Sequence, residues 1–329
     1  MKVYRHKYIK FLWETLVGVV LILSMTVSTV SAATNNNPNG FQVSPVRTEL
    51  TINRGDSQTV NITIANPTNS QLATRALVND FIANTDESGA PLLITDNSVP
   101  LPHNNFISLV SPIPNFVLLP KQSTTMPVRI TVPANANAGG YYGAIRFAPA
   151  SLGTTSNIGL SATVGSLFLI TVPGNLVEKL NLIQLSAAHS NGDPSWFFVS
   201  GDLAVMTRLQ NVGDIHVQPF GTVIVKDMFG HVLTQYEFNP AVPDRSNVLP
   251  DSVRKFVDKL PKHHWFGRYT IQESIAYQQG TGNLLYAHAS FWYVSQWYLV
   301  ALLVIVVLLF VVIYWRIEHN KKKRYSHRR

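Results

Sequence analysis

VNITIAN, residues Val60 to Asn66, decides the fold together with its counterpart VMTRLQN, residues Val205 to Asn211. In the first stretch Val60, Ile62 and Ile64 alternate with polar residues, which is the pattern of a strand that buries one face. Each stretch ends in asparagine, a residue that favours turns. The two stretches therefore predict the same unit, a strand followed by a turn, in two places.

The repeat extends beyond these two strands. Leu119-Pro120 in the first copy matches Leu249-Pro250 in the second, and each is followed by an alternating strand and a proline. The copies differ mainly by an irregular stretch, residues 84–115, in the first. Short strands separated by turn signals indicate β-sandwiches. We predict an all-β ectodomain of two tandem immunoglobulin-like sandwiches, residues 41–173 with the insertion 84–115, and residues 174–293.

One segment of the ectodomain fits two patterns. SVRKFVDKL, residues 252–260, places apolar residues on one helical face, but it also alternates between apolar and charged residues along part of its length. The matching segment of the first copy reads as a strand. The repeat therefore favours a strand here as well.

The C-terminal end predicts a membrane anchor. Leu299 to Ile313 is a run of fifteen apolar residues, and aromatic residues flank it. As a helix, residues 297–315 would span about 28 Å, close to the roughly 30 Å of a bilayer's hydrocarbon core. The tail 316–329 carries seven Lys and Arg residues against one acid. This bias predicts a cytoplasmic tail and an ectodomain outside the cell.

The N-terminal end predicts export. Four basic residues precede an apolar run, Val17 to Val30, and small residues follow it. This order is typical of a secretory signal peptide, here residues 1–32, and an uncleaved signal anchor is the alternative. Residues 33–40 form a polar linker. Both ends therefore predict a single-pass protein of the cell membrane.

The net charge of +8 reports on topology, because residues 33–296 contain fifteen basic and sixteen acidic residues. A nearly neutral ectodomain argues against nucleic acid as a partner. The chain has no cysteine. Disulfides, thiol nucleophiles and thiolate metal ligands are therefore excluded.

Several segments resemble a known family. FQVSP at 41–45, NTDESG at 84–89 and GGYYGAIRF at 139–147 are similar to the first domain of WxL-interacting cell-surface proteins of Gram-positive bacteria, as are the Asn66 turn and Leu119-Pro120. The order of signal, two sandwiches, membrane helix and basic tail is also similar. The resemblance implies that the first domain binds peptidoglycan and that the second binds host or partner proteins, beside WxL proteins in the wall. A single Trp-x-Leu triplet, residues 297–299, lies in the predicted anchor, so the chain would be the partner of a WxL protein.

Aromatic residues are the candidate binding residues. Tyr141 and Tyr142 are neighbours on a predicted strand, so one ring would face outward and could stack on a sugar. The alternative is that both rings are packed. Trp196, Trp265 and Phe266 could form an exposed patch that binds a protein, or they could belong to the core.

Other chemistry finds no support in the sequence. It contains no serine-hydrolase, zinc-protease or phosphate-loop motif. Asp86, Glu87 and Asp96 bracket a turn, but they are not spaced as in a calcium loop. The adjacent His263 and His264 would point to opposite faces of a strand. We predict no cofactor, no metal site and no enzymatic activity.

The leading hypothesis is a non-enzymatic surface protein held in the bilayer by residues 297–315. Its first domain would bind cell-wall peptidoglycan, and its second would bind WxL-type or host surface proteins. One alternative is a structural spacer or assembly subunit that acts through the anchor and the juxtamembrane segment. Another is an enzyme on a β-sandwich scaffold, which the fold class alone does not exclude.

Overall fold

The computed structural model describes residues 41–96, 100–149, 163–241, 244–261, 266–277 and 284–326, with side chains up to residue 317. All of them belong to one unit, Gly40–Arg329. The predicted signal peptide and linker lie outside the described residues, and so do Trp265, His263 and His264.

The first sandwich is built from nine strands. They are β1 (Gln42–Ser44), β2 (Arg47–Thr51), β3 (Ser57–Ala65), β4 (Leu72–Ala83), β5 (Pro91–Leu93), β6 (Phe116–Leu118), β7 (Ser123–Thr131), β8 (Gly139–Pro149) and β9 (Val164–Val172). One sheet has the order β1-β3-β7, and the other has the order β2-β9-β8-β4-β5, with β6 also pairing with β4. Most pairs are antiparallel, and β2 runs parallel to β9.

The second sandwich is built from eight strands. They are β10 (Leu180–His189), β11 (Phe197–Phe198), β12 (Leu203–Asn211), β13 (Phe220–Lys226), β14 (Val232–Phe238), β15 (Ser252–Lys259), β16 (Phe266–Ala276) and β17 (Leu284–Val294). Its sheets have the orders β10-β12-β15 and β11-β17-β16-β13-β14. The ambiguous segment at 252–260 is a strand, as predicted. Together the four sheets confirm an all-β, immunoglobulin-like ectodomain.

Alternation places the core as expected. Ile62 and Ile64 on β3 are fully buried, and Val60 packs against the same cluster, while Thr59 and Asn61 are exposed. Each sandwich has its own hydrophobic cluster between its two sheets. The period of two in the sequence therefore determines which face of β3 meets the opposite sheet.

The asparagine that ends β3 is buried and fully used. The Asn66 side-chain amide donates to the carbonyl oxygens of Ser70 at 2.8 Å and Leu119 at 3.0 Å. Its Oδ1 accepts the Thr68 backbone N–H at 3.0 Å. Side-chain bonding of this kind replaces strand pairing where the chain turns. Asn66 thus fixes the turn and ties it to the Leu-Pro segment.

The asparagine that ends β12 makes the same set of bonds. The Asn211 amide donates to the carbonyl oxygens of Ile215 at 2.8 Å and Val248 at 2.9 Å, and its Oδ1 accepts the Gly213 N–H at 2.9 Å. The residues after the two Leu-Pro pairs also match, since Lys121 and Asp251 have φ of 61° and 53°. The repeat seen in the sequence is therefore a repeat of local structure.

The insertion 84–115 is more ordered than an irregular stretch implies. It contains β5, which pairs with β4, and a 3-10 turn at Ile107–Leu109. Phe106 is fully buried and its ring is 5.4 Å from that of Phe168. The Asp80 carboxylate accepts the Phe106 N–H. Part of the insertion therefore belongs to the core of the first sandwich.

A single long helix, α1 (Gln296–Ser326), follows β17 after one residue. The most apolar eighteen-residue window within Gln296–Ile317 has a mean hydropathy of 3.0, and none of that window is buried. Twenty-two residues span about 33 Å as a helix, enough to cross a bilayer. The helix is compatible with the predicted single-pass anchor at 297–315.

The core of the second sandwich contains a carboxyl group. Glu273 on β16 is 2% exposed, and the Thr207 hydroxyl on β12 of the facing sheet lies 3.0 Å from both of its oxygens. Burial raises the pKa of Glu273 to about 8, although the hydrogen bond from Thr207 opposes the shift. Burial also raises the pKa of Asp258 on β15 to about 6. Both carboxyls therefore disfavour the charged form inside the fold.

Glu273→Gln should raise the melting temperature of the second sandwich at pH 8 to 9 and change it little at pH 4. The folded pKa, about 8, lies above the ordinary value of 4.5. The stability that a protonated Glu273 contributes is therefore fully present below pH 4.5 and is lost as the pH rises through about 8. Melts of the full chain in detergent micelles from pH 4 to 9 measure this.

Glu237→Gln is the matched control, since that side chain is 54% exposed. It should leave the pH dependence as in the wild type. The melting temperature of the Glu273→Gln variant should still fall with rising pH, but less steeply, because the pKa of Asp258 is also raised. An unchanged slope in that variant would contradict a buried, neutral Glu273.

Candidate functional site at the junction of the two sandwiches

The β4–β5 turn of the first sandwich docks onto the second. The Glu87 carboxylate accepts hydrogen bonds from two nitrogens of Arg208 on β12, with the Nε bond at 2.7 Å. The Glu87 carbonyl oxygen accepts the Lys255 backbone N–H at 2.8 Å. Since β15 is an edge strand, the turn occupies backbone groups that would otherwise be unpaired.

Local sequence shapes this turn for docking. Asp86 Oδ1 accepts the Ser88 N–H at 2.9 Å and the Ser88 hydroxyl at 2.7 Å. Gly89 has φ of 76°, and the Arg254 guanidinium occupies the space that a Cβ would need there. The hydrogen bond from Arg208 holds the pKa of Glu87 below its usual value. Two of the three acidic residues considered for calcium are therefore engaged: Asp86 stabilises the turn and Glu87 forms an ion pair.

Strand β2 makes a second set of contacts across the junction. The Glu49 carboxylate accepts hydrogen bonds from the Gln218 amide at 2.8 and 3.0 Å and from the Asn247 amide at 2.6 Å. Arg47 donates to the Arg245 carbonyl oxygen at 2.9 Å. Together with Asp244, four of these side chains, those of Arg47, Glu49, Gln218 and Arg245, line a polar hollow of about 330 Å³.

Tyr142 on β8 makes a third contact. Its hydroxyl oxygen accepts the His216 backbone N–H at 2.8 Å and lies 3.3 Å from His216 Nδ1. The two rings meet edge-on with centroids 5.6 Å apart. Burial lowers the pKa of His216, although Glu49 opposes the shift, and burial raises the pKa of Tyr142. Both groups are therefore neutral at physiological pH, and hydrogen bonding and packing hold this contact.

Beside Tyr142 lies a groove of about 240 Å³ shared by the two sandwiches. The first sandwich contributes the end of β4 and part of the insertion, and the second contributes the loop after β12 and a Leu-Pro pair. The lining includes Phe81, Pro102, His103, Tyr142, Asp214 and Pro250. Aromatic and proline surfaces thus face polar groups across a narrow space.

Asn104, one of the groove's lining residues, carries a hydrogen-bond acceptor without a donor. Among the residues that the structure describes, its Oδ1 is buried and has no hydrogen-bond donor. Asn104 lines the groove next to His103, whose Nε2 lies 3.0 Å from the Asn137 amide. A buried acceptor without a donor is costly, and a ligand hydroxyl or amide would satisfy it. A neutral polar ligand that reached Asn104 would therefore meet an unpaired acceptor beside Pro102 and Pro250.

The two candidate tyrosines do not offer a free ring face. Tyr141 is 5% exposed, lies in the core of the first sandwich and donates its hydroxyl to the Asn137 carbonyl oxygen at 3.1 Å. Tyr142 faces away from that core, as alternation requires, but the second sandwich covers its hydroxyl end. Their packing matches the alternative interpretation of this pair, and only Tyr142 reaches the groove.

The other candidates lie elsewhere. Trp196 is 72% exposed and Phe266 is 52% exposed, both on the second sandwich near the start of α1. Trp265 lies outside the described residues. Trp196 and Phe266 therefore do not join the tyrosines in one site.

Sequence reasoning missed the residues that build the junction. No motif marks Glu49, Arg208 or His216. Their partners are distant in the sequence: Glu87 is 121 residues from Arg208, and Asn247 is 198 residues from Glu49. The prolines and polar residues at 100–115 were a usable signal, because long loops in compact domains are often functional. Within the described ranges no three His, Asp or Glu side chains come together as a metal site would require.

Comparison with known proteins adds fold information only. No protein-family model matches the sequence, and no curated protein matches it. The class 5 fimbriae chaperone CfaA is 13% identical, with 76% of this chain and 98% of that chain covered and a TM-score of 0.36. The E. coli chaperone DraB is 13% identical, with 77% and 96% covered and a TM-score of 0.34. The PapD-like domain 7 of human CEP192 is 14% identical, with 45% and 96% covered and a TM-score of 0.29.

Arg208→Ala should loosen the junction. The ion pair is about a quarter exposed, so its loss should cost about 1 kcal/mol, but the spread of distances between the sandwiches should widen. Nitroxide labels at Thr59→Cys and Val232→Cys, in a chain without native cysteine, allow pulsed electron spin resonance to measure that spread.

Arg146→Ala is the control, because it removes an arginine whose side-chain bonds to Asn79 lie inside the first sandwich. Its distance distribution should match that of the wild type. A distribution in Arg208→Ala as narrow as in the wild type would show that Glu87 does not hold the junction.

Proposed function

We propose that this chain is a non-enzymatic surface protein, anchored by α1, that binds a cell-wall glycan in the groove beside Tyr142. This is the function expected of the WxL-interacting family. The observation that carries the proposal is Asn104, which lines this proline-rich groove and whose buried Oδ1 has no donor in the described structure. Sugar hydroxyls supply such donors, and Pro102 and Pro250 line the same groove for the apolar face of a sugar ring.

The anchoring part is supported by α1. Its side chains are exposed along the whole of Gln296–Ile317, as lipid contact requires. The basic residues that follow, including Arg316 and Lys321 to Arg324, favour a cytoplasmic tail. The ectodomain would then lie outside the membrane, where wall glycan is available.

The second part of the proposal is a protein partner for the second sandwich, either a WxL-type or a host surface protein. Its support is the family resemblance and the exposed apolar side chains of this sandwich, which include Val212 and Val232. Single exposed apolar residues are common on protein surfaces. The glycan part is therefore the one with a defined site.

Full-length protein in detergent micelles should sediment with isolated cell walls. Asn104→Ala should weaken this binding about two- to tenfold, because one hydrogen bond contributes about 0.5 to 1.5 kcal/mol. Asn61→Ala, on the exposed face of β3, is the matched control and should bind as the wild type does. The glycan proposal fails if the wild-type protein stays wholly in the supernatant.

A second candidate function is a structural spacer in a surface assembly. The observation that favours it is the junction, where three separate sets of contacts, around Glu87, Glu49 and Tyr142, join the sandwiches. Two sandwiches that are held together by these contacts would set a distance from the membrane, whether or not they bind glycan. Here the anchor and the residues beside it would carry the partner contacts.

Replacing residues 296–317 with an unrelated apolar helix of equal length separates the two functions. A binder should keep its wall sedimentation, because the groove is untouched. A spacer that works through its anchor should lose the proteins that co-purify with it from membranes. Retention of both activities would favour the ectodomain binder.

A further inference from the structure

We propose that the end of the second sandwich next to α1 is a lipid-contacting surface that lies in the headgroup layer of the outer leaflet. The surface consists of Trp196, Phe197, Phe229, Phe266 and Trp292, which we call the aromatic collar. The proposal rests on the membrane anchoring proposed above and is independent of the glycan groove.

In the described part of the ectodomain, the exposed aromatic side chains are concentrated in the collar. The exposed fractions are 72% for Trp196, 78% for Phe229, 52% for Phe266 and 46% for Trp292. Elsewhere in the described ectodomain, Tyr286 is the one other aromatic side chain among the large exposed apolar residues. Exposed aromatic clusters of this kind mark a surface that is covered by another phase or partner.

A direct contact sets the depth of the collar. The Phe266 ring lies 4.8 Å from the Tyr298 ring, centroid to centroid. Tyr298 lies in the first turn of α1, at the start of the apolar segment, where aromatic residues prefer the headgroup level. Whatever depth Tyr298 takes, Phe266 therefore takes nearly the same depth.

Hydrogen bonds extend this level across the sheet. The Gln296 N–H donates to the Val199 carbonyl oxygen at 3.0 Å, and the Trp292 N–H donates to the Trp196 carbonyl oxygen at 2.8 Å. Phe197 is in register with Trp292 on β17. The residues on either side of β11 are thus bonded to the C-terminal end of β17 and to the start of the helix. The aromatic residues of β11 therefore lie at the same end of the sandwich.

The β13–β14 hairpin brings Phe229 to this end as well. The Met228 side chain occupies the space that a Cβ at Gly267 would need, and Gly267 is next to Phe266. Phe229 is the following residue of the hairpin tip. The hairpin tip therefore lies beside the start of β16, with Met228 48% exposed and Phe229 78% exposed.

The chemistry of the collar fits a lipid headgroup layer. Trp rings combine an apolar body with an N–H donor, which suits a layer that is apolar on one side and wet on the other. Arg268 is exposed, pairs in register with Trp292 and donates to the Ser290 hydroxyl at 3.2 Å. A cation among aromatic rings can approach lipid phosphates. Continuity with α1 singles out lipid as the occupant.

Depth measurements on nitroxide labels test the proposal, and the absence of native cysteine makes single labels specific. Full-length Trp196→Cys and Phe229→Cys are labelled and reconstituted in liposomes of phosphatidylglycerol and phosphatidylethanolamine. Collision rates with oxygen, which concentrates in lipid, and with a water-soluble nickel complex give the depth. Both side chains are mostly exposed, so the replacements leave the core intact.

Tyr286→Cys is the matched control, because it lies on the same strand as Trp292, is 74% exposed and is six residues away. That separation is about 20 Å along a strand. Ile305→Cys, in the middle of the apolar segment, reports separately whether α1 is inserted.

We expect a higher ratio of oxygen to nickel collisions at residues 196 and 229 than at residue 286, and the highest ratio at residue 305. Labels at 196 and 229 that match residue 286 would overturn the collar while leaving the anchor intact. Labels shielded from both reagents would also overturn it, because a protein would then cover the surface. A water-exposed label at 305 would overturn the anchoring, and the collar with it.

Discussion

A buried carboxamide at the end of a central strand is the constraint on which both sandwiches depend. Asn66 and Asn211 each accept an N–H two residues ahead and donate to a carbonyl four residues ahead, while also tying down the Leu-Pro segment. The consequence reaches the junction. Asn211 shapes the loop that carries Asp214, which lines the groove, and His216, which contacts Tyr142. Both features therefore depend on the hydrogen bonds of one side-chain amide. A side chain whose hydrogen bonds cross several segments makes a precise turn out of a flexible one.

The junction combines contacts of different physical kinds. Glu87 and Arg208 form a charged pair that is partly open to water, so salt screens it. Tyr142 and His216 are neutral and buried, so salt hardly affects them. Such a mixture keeps the two sandwiches aligned over a range of ionic conditions. A chain that is exported, as the sequence predicts, would meet a range of ionic conditions outside the cell.

The fold could be predicted from the sequence because its signals are local. Alternation along β3, the turn after Asn66 and the repeat that assigns β15 as a strand all act within a few residues. The site could not be predicted, because its bonds join residues such as Glu49 and Asn247, 198 positions apart. Alternation showed that one of Tyr141 and Tyr142 faces outward, but it gave no information about the second sandwich that covers that side. Solvent exposure depends on tertiary contacts, which a period of two does not contain.

The passage from β17 to α1 has a mechanical meaning. A single residue, Ser295, separates the last strand from the helix, so no slack chain would absorb a pull on the helix. Tension drawn through the anchor would act along β17, which is paired over eleven positions with β16 and flanked by β11. A strand loaded along its own axis must shear many hydrogen bonds at once, whereas a strand peeled from its end breaks them singly. If α1 anchors the chain as proposed, the second sandwich would resist such tension through shear of the β16–β17 hydrogen bonds.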